Sequence, residues 1–129
     1  MKTLKQIAAE IRQELKRQFP EHKFSVVKRN GIEIIVALME APESPFASLE
    51  TTTGHTHNGT YAQLNSKHIG ETSNGYYLTE QAVQMLKQVV EIANRDNWDN
   101  SVLVEDYHDV NYYLALEIGK WDKPFTART

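Results

Sequence analysis

The stretch from Lys23 to Met39 constrains this chain more than any other. Two β-prone runs, Lys-Phe-Ser-Val-Val-Lys-Arg and Ile-Glu-Ile-Ile-Val-Ala-Leu-Met, flank Asn30-Gly31. Asn-Gly favours a type I′ hairpin turn, because both central residues of that turn need positive φ. A two-residue loop would set Arg29 opposite Ile32, Lys28 opposite Glu33, Val27 opposite Ile34 and Val26 opposite Ile35. Lys28 and Glu33 would then form an opposite-charge cross-strand pair. One face would carry Val27, Ile32, Ile34, Val36 and Leu38, and the other Phe24, Val26, Ile35, Ala37 and Met39. The second strand is apolar on both faces, so both faces need cover.

The flanking segments supply part of that cover. Leu4, Ile7, Ala8, Ile11, Leu15 and Phe19 recur at steps of three and four, which predicts an amphipathic helix. Thr3 and Gln6 form a capping box at its start, and Pro20 ends it. From Ala41 to Tyr77 the pattern dissolves into turn-forming residues, with Tyr61–Leu64 and Lys67–Ile69 as short elements at most. A loop this long is commonly functional or conceals an element. Thr79 is an N-cap for a second helix, with Leu78 and Val83 at the staple positions. Its stripe is Ala82, Val83, Leu86, Val89, Val90 and Ala93, widened by Met85 and Ile92. The helix should stop between Asn94 and Asn97. Val102–Asp106 and Tyr112–Ile118 read as the last two strands. The Trp121–Phe125 segment is expected to fold over the sheet edge, with Trp121 and Phe125 as anchors and Pro124 stopping further pairing. The expected fold is α+β: helix-strand-strand-loop-helix-strand-strand, with an antiparallel sheet of four strands and both helices on one face.

At 129 residues the chain is read as one domain, residues 1–129. With 40% apolar and 24% charged residues it has the composition of a soluble globular protein. No apolar run reaches the ~18 to 20 residues of a membrane span, and the N-terminus lacks a signal-peptide core. The absence of cysteine rules out disulfides and thiolate metal sites, and it fits a cytoplasmic setting. The net charge of −3 splits into +5 over residues 1–31 and −8 over the remainder. A basic first helix on an acidic body is ordinarily just a solvated face, but it could also be a patch for a polyanion.

The C-terminal third carries a resemblance. Asp99-Asn100-Ser101, Asp106-Tyr107-His108-Asp109-Val110-Asn111-Tyr112-Tyr113 and Leu116-Glu117-Ile118-Gly119-Lys120-Trp121-Asp122-Lys123-Pro124-Phe125 resemble the end of a family of small plasmid and phage proteins. Lys16 to Val27, with Phe19-Pro20 and Lys23-Phe24-Ser25-Val26, is similar to that family's first helix and strand, and Tyr61-Ala62-Gln63-Leu64-Asn65 also fits. The family resembles the large polyvalent protein-associated domains, found alone or inside large mobile-element proteins. The resemblance implies an α+β fold and a mobile-element setting. It implies no activity and no catalytic residue.

Three constellations carry possible chemistry. His55-Thr56-His57, with His68 and Glu71, is the only metal-like spacing and would suit zinc, although histidines in a Thr/Gly/Asn loop are more often polar surface. Asp106, His108 and Asp109 crowd a turn where a histidine beside carboxylates could act as general acid or base, but Asp and Asn also hold turns by side-chain bonds to backbone. Ser101 reads better as a turn residue than as a nucleophile. Lys5, Arg12 and Lys16 share one solvent-facing side of the first helix and are the nucleic-acid candidates. Tyr76, Tyr77, Tyr112, Tyr113, Trp98 and Trp121 could stack bases, although such residues more often serve core and rim. No P-loop, dinucleotide fingerprint, HExxH or GxSxG motif is present.

The favoured reading is a mobile-element accessory or interaction protein that works through protein contacts and is not an enzyme. A nucleic-acid module using the first helix is the first alternative. A small metal-dependent or acid–base enzyme using the histidines is the second. Two helices can cover only one face of the sheet, so the other needs the Ala41–Tyr77 loop or another subunit, and a homodimer that buries part of it is the expected cover.

Overall fold

The computed structural model describes residues 3–71, 75–97 and 112–128. Helix α1 spans Leu4–Gln18 and begins with the expected box: Thr3 Oγ1 accepts from Gln6 N–H, and Gln6 Oε1 accepts from Thr3 N–H. Ile7, Ala8, Ile11 and Leu15 are its buried stripe. Strands β1 (Lys23–Arg29) and β2 (Glu33–Ala41) follow as an antiparallel hairpin. Strand β3 is Ala62–Leu64, helix α2 is Glu80–Ala93, strand β4 is Tyr113–Ile118 and strand β5 is Thr126–Ala127. Thr79 caps α2 by accepting from Ala82 N–H. The class is α+β, as expected. The Lys67–Ile69 run forms no helix or strand, and the expected Val102–Asp106 strand lies outside the described residues.

The hairpin register differs from expectation by one residue. Arg29 pairs with Glu33, Lys28 with Ile34, Val27 with Ile35 and Val26 with Val36. Asn30 and Gly31 both have positive φ, at 56° and 69°, as the Asn-Gly signal requires. Ile32 nevertheless joins the loop. Its N–H closes the turn onto Arg29 O, while its carbonyl accepts from Tyr113 N–H at 2.8 Å and so belongs to a different strand pair. A one-residue slip moves every side chain to the other face. Val26 therefore shares a face with Ile34, Val36 and Leu38, while Val27 shares one with Ile35 and Ala37. The cross-strand ion pair is Arg29 with Glu33, not Lys28 with Glu33.

The sheet is also mixed rather than antiparallel. Its order is β1-β2-β4-β3, and β4 runs parallel to β2 with Ile34 opposite Leu114 and Leu38 opposite Ile118. A parallel neighbour needs a long crossover, and the chain through the 42–79 region and α2 supplies one. Strand β3 pairs antiparallel with β4, and β5 adds two residues beside Glu40 and Ala41 of β2. Central β2 is buried from Ile34 through Leu38, which explains its apolar character on both faces.

One core joins both helices to one sheet face. Ile7, Ile11 and Leu15 of α1 and Leu86, Val89 and Ile92 of α2 pack with Val26, Ile34, Val36, Leu38, Leu116 and Ile118. The long connection adds Phe46 and Ile69 to this same core. Tyr112 ties the end of α2 to the start of β4, its hydroxyl donating to Ala93 O and its N–H to Asn97 Oδ1.

Candidate functional site

The alternate residues of the strands point away from the helices. On that side lie Val27 of β1, Glu33, Ile35 and Ala37 of β2, Tyr113, Ala115 and Glu117 of β4, and Gln63 of β3, as the pairing register dictates. Ile35 and Ala37 are buried, but Val27 is 39% and Tyr113 52% exposed. None of these residues belongs to the helix-side core. Glu117 sits at a register position beside Ala37 and Gln63. Partial burial raises its carboxyl pKa, with Glu33 adding to the rise, while Arg29, Lys120 and a hydrogen bond from Gln63 pull the other way. Tyr61 lies near Glu117, and its phenol is also pushed up, first by burial and then by the Glu117 charge. The face thus mixes apolar Val27, Ile35, Ala37, Tyr113 and Ala115 with Glu33, Gln63 and the partly buried carboxyl of Glu117.

The basic candidates of α1 and the histidines of the long connection fall elsewhere. Arg12 donates from its guanidinium to Val26 O at 2.6 Å, so it binds the sheet as well as facing solvent. Lys5 and Lys16 are exposed on α1. Glu14 holds Arg17 and lies 3.6 Å from Arg95, which neutralises part of the basic helix. Hydrogen bonds from Arg17 and then Gln18 lower the Glu14 pKa to about 2.

His57 is built into its loop. Its Nδ1 accepts from Gly59 N–H, which leaves Nε2–H to donate to Ser48 O at 3.0 Å. Its ring packs 4.6 Å from that of Phe46 and 5.3 Å from that of Tyr76. His68 pairs with Glu71 at 2.9 Å, and His55 is exposed. Among the described residues, no group of three His, Asp or Glu is placed to hold a metal ion. Asp106, His108, Asp109 and Ser101 lie outside the described residues.

Two features were not legible in the sequence. A cleft of about 330 Å³ opens between the end of α1, the start of α2 and the Pro42–Pro45 turn, with Phe19, His22, Leu38 and Met85 in its walls. Burial lowers the His22 pKa, and its ring stacks on Phe24. Only the two closely spaced prolines hint at a shaped turn there. The second feature is the turn after β4. Phe125 is buried as expected, but Trp121 is 83% exposed, so it anchors nothing. Pro124 does not end pairing either, since β5 follows it. Of the two aromatics only Phe125 is buried, and its N–H donates to Thr60 O at 2.9 Å.

Among the described residues no helix is long and apolar enough to cross a membrane. No curated protein and no solved structure matched the chain. The family model "Large polyvalent protein associated domain 29" matches residues 2–117, from α1 through all but the last residue of β4. That span takes in both helices and the strands of the main sheet, so the chain belongs to the large polyvalent protein associated domain 29 family.

Proposed function

We propose that this chain is an accessory interaction domain of mobile genetic elements, acting through protein contacts on the helix-free sheet face. The observation that carries the reading is that face itself, where Val27 and Tyr113 stay exposed around Ile35, Ala37 and Ala115. Large apolar side chains left exposed on one sheet face can serve a protein contact. The long connection places Phe46 and Ile69 in the helix-side core rather than on this face.

The occupant we assign to it is a second copy of the chain, packed face to face about a two-fold axis. The strands lie ~4.8 Å apart and rise ~3.3 Å per residue, so β1, β2 and β4 offer roughly 300 Å² each way, well below the ~800 Å² per partner of a stable complex. Self-association is therefore weak and reversible. Sedimentation velocity up to millimolar protein tests it. The expected result is a concentration-dependent dimer that V27D and Y113D abolish. A monomer at every concentration, or a dimer indifferent to both substitutions, overturns the assignment.

A further inference from the structure

The turn from Lys120 to Lys123 displays an indole that the fold does not use. Lys120 and Lys123 exchange backbone hydrogen bonds at 2.8 and 3.2 Å, which fixes Trp121 and Asp122 at the tip. The base of the turn is rigid. Gly119 has φ +68°, and a Cβ there would collide with Thr60 O, so chain and turn meet with no room between them. Buried Phe125 locks the other side. Beside the indole is an open hollow lined by Thr56, Asn58, Thr60, Tyr61, Lys120 and Pro124. Its walls mix hydroxyls, an amide and an ammonium with the rings of His57, Tyr61 and Pro124.

We infer that this turn is a stacking site for single-stranded nucleic acid. An exposed aromatic face stacks any base, and flanking lysines hold phosphates. A duplex hides its base faces, so a protruding indole distinguishes single strands from duplex. Asp122 at the tip and Glu117 behind Lys120 oppose the two lysines, so the site is short: one stacked base and two phosphates. Arg12 and the first helix take no part in it.

The indole is its own reporter. The chain has two tryptophans, so a W98F background leaves Trp121 as the sole indole. Fluorescence is titrated with dT12, rU12 and a twelve-base-pair duplex. The expected result is saturable quenching by single strands and little by duplex, with the dT12 and rU12 arms showing whether DNA or RNA is preferred. Two phosphate contacts predict about sevenfold weaker binding between 50 and 200 mM salt, from a slope of roughly −0.7 per contact. K120A/K123A should remove most of that salt dependence. W121A, followed by anisotropy of labelled dT12, should weaken binding about fivefold or more. Because Trp121 is exposed, circular dichroism of W121A should match the parent. Absence of saturable quenching at low salt overturns the inference, as does equal quenching by duplex. So does a concentration-dependent blue shift without nucleic acid, which would assign the indole to a protein contact.

Discussion

Arg12 of α1 donates to the carbonyl of Val26 at 2.6 Å, and that carbonyl belongs to the outer edge of the sheet. Strand β1 pairs with β2 through Arg29, Val27 and Ser25, so the backbone groups of the intervening Val26 face outward. An unpaired strand edge invites another strand, and proteins commonly block it with charge. Arg12 does so here from the neighbouring helix.

Arg12→Ala should therefore cost about 1–2 kcal/mol, as expected for a hydrogen bond from a charged donor to a part-buried carbonyl. Lys16→Ala, on the same helix but fully solvated, should stay within about 0.5 kcal/mol. Urea denaturation of the two variants separates them. Equal effects would show that the Arg12 contact contributes nothing. If α1 instead binds nucleic acid, Lys5→Ala and Lys16→Ala should each lower the salt slope of binding in a gel shift.

Tyr112→Phe tests the tie between α2 and β4. Loss of the hydroxyl leaves the buried Ala93 carbonyl without that donor and should cost about 1–3 kcal/mol. Burial first, and the Asp96 charge second, push the Tyr112 pKa up to about 12. The unfolded phenol ionises near 10, so the unfolded state releases its proton first as pH rises. Stability should then fall between pH 10 and 12, by about 2–3 kcal/mol at most. Chemical denaturation of the parent across this range should show the fall, and Tyr112→Phe should lack this part of it.

Glu117 gives a second pH signature. Its folded pKa is raised, chiefly by burial, so the charged form is disfavoured in the folded state. The parent should lose stability relative to Glu117→Gln as pH rises from the unfolded value of about 4.5 through the raised folded pKa. Below that window the two should melt alike; above it Glu117→Gln should melt higher. Calorimetry at pH 4 and pH 7 makes the comparison, and a reversed order at pH 7 would refute the picture of a poorly solvated carboxylate.

Gly119→Ala should be among the most damaging single substitutions in the chain. The new Cβ collides with Thr60 O and lies 2.8 Å from Phe125 N, both backbone atoms, at a φ that L residues seldom adopt. A loss of about 3 kcal/mol or more is expected, together with amide exchange at Phe125 as its bond to Thr60 O opens. Unchanged melting and exchange would mean that the turn is not held as described.

Local signals in the sequence determine most of the elements. Thr3 with Gln6, Thr79, Pro20 and the stripes Ile7–Leu15 and Ala82–Ala93 act within a few residues, so both helices are legible in the chain. Asn30-Gly31 places the hairpin turn for the same reason. Only tertiary contacts decide the rest. Tyr113 N–H captures the Ile32 carbonyl, which lengthens the loop by one residue and reverses the faces of β1. Strand β4 enters parallel between β2 and β3, an arrangement set by partners distant in sequence. Trp121 and Phe125 differ in fate although they are four residues apart, because only Phe125 meets the core. Caps and turns are local backbone chemistry, whereas register, strand order and exposure depend on which distant groups compete for the same hydrogen bonds and the same buried space.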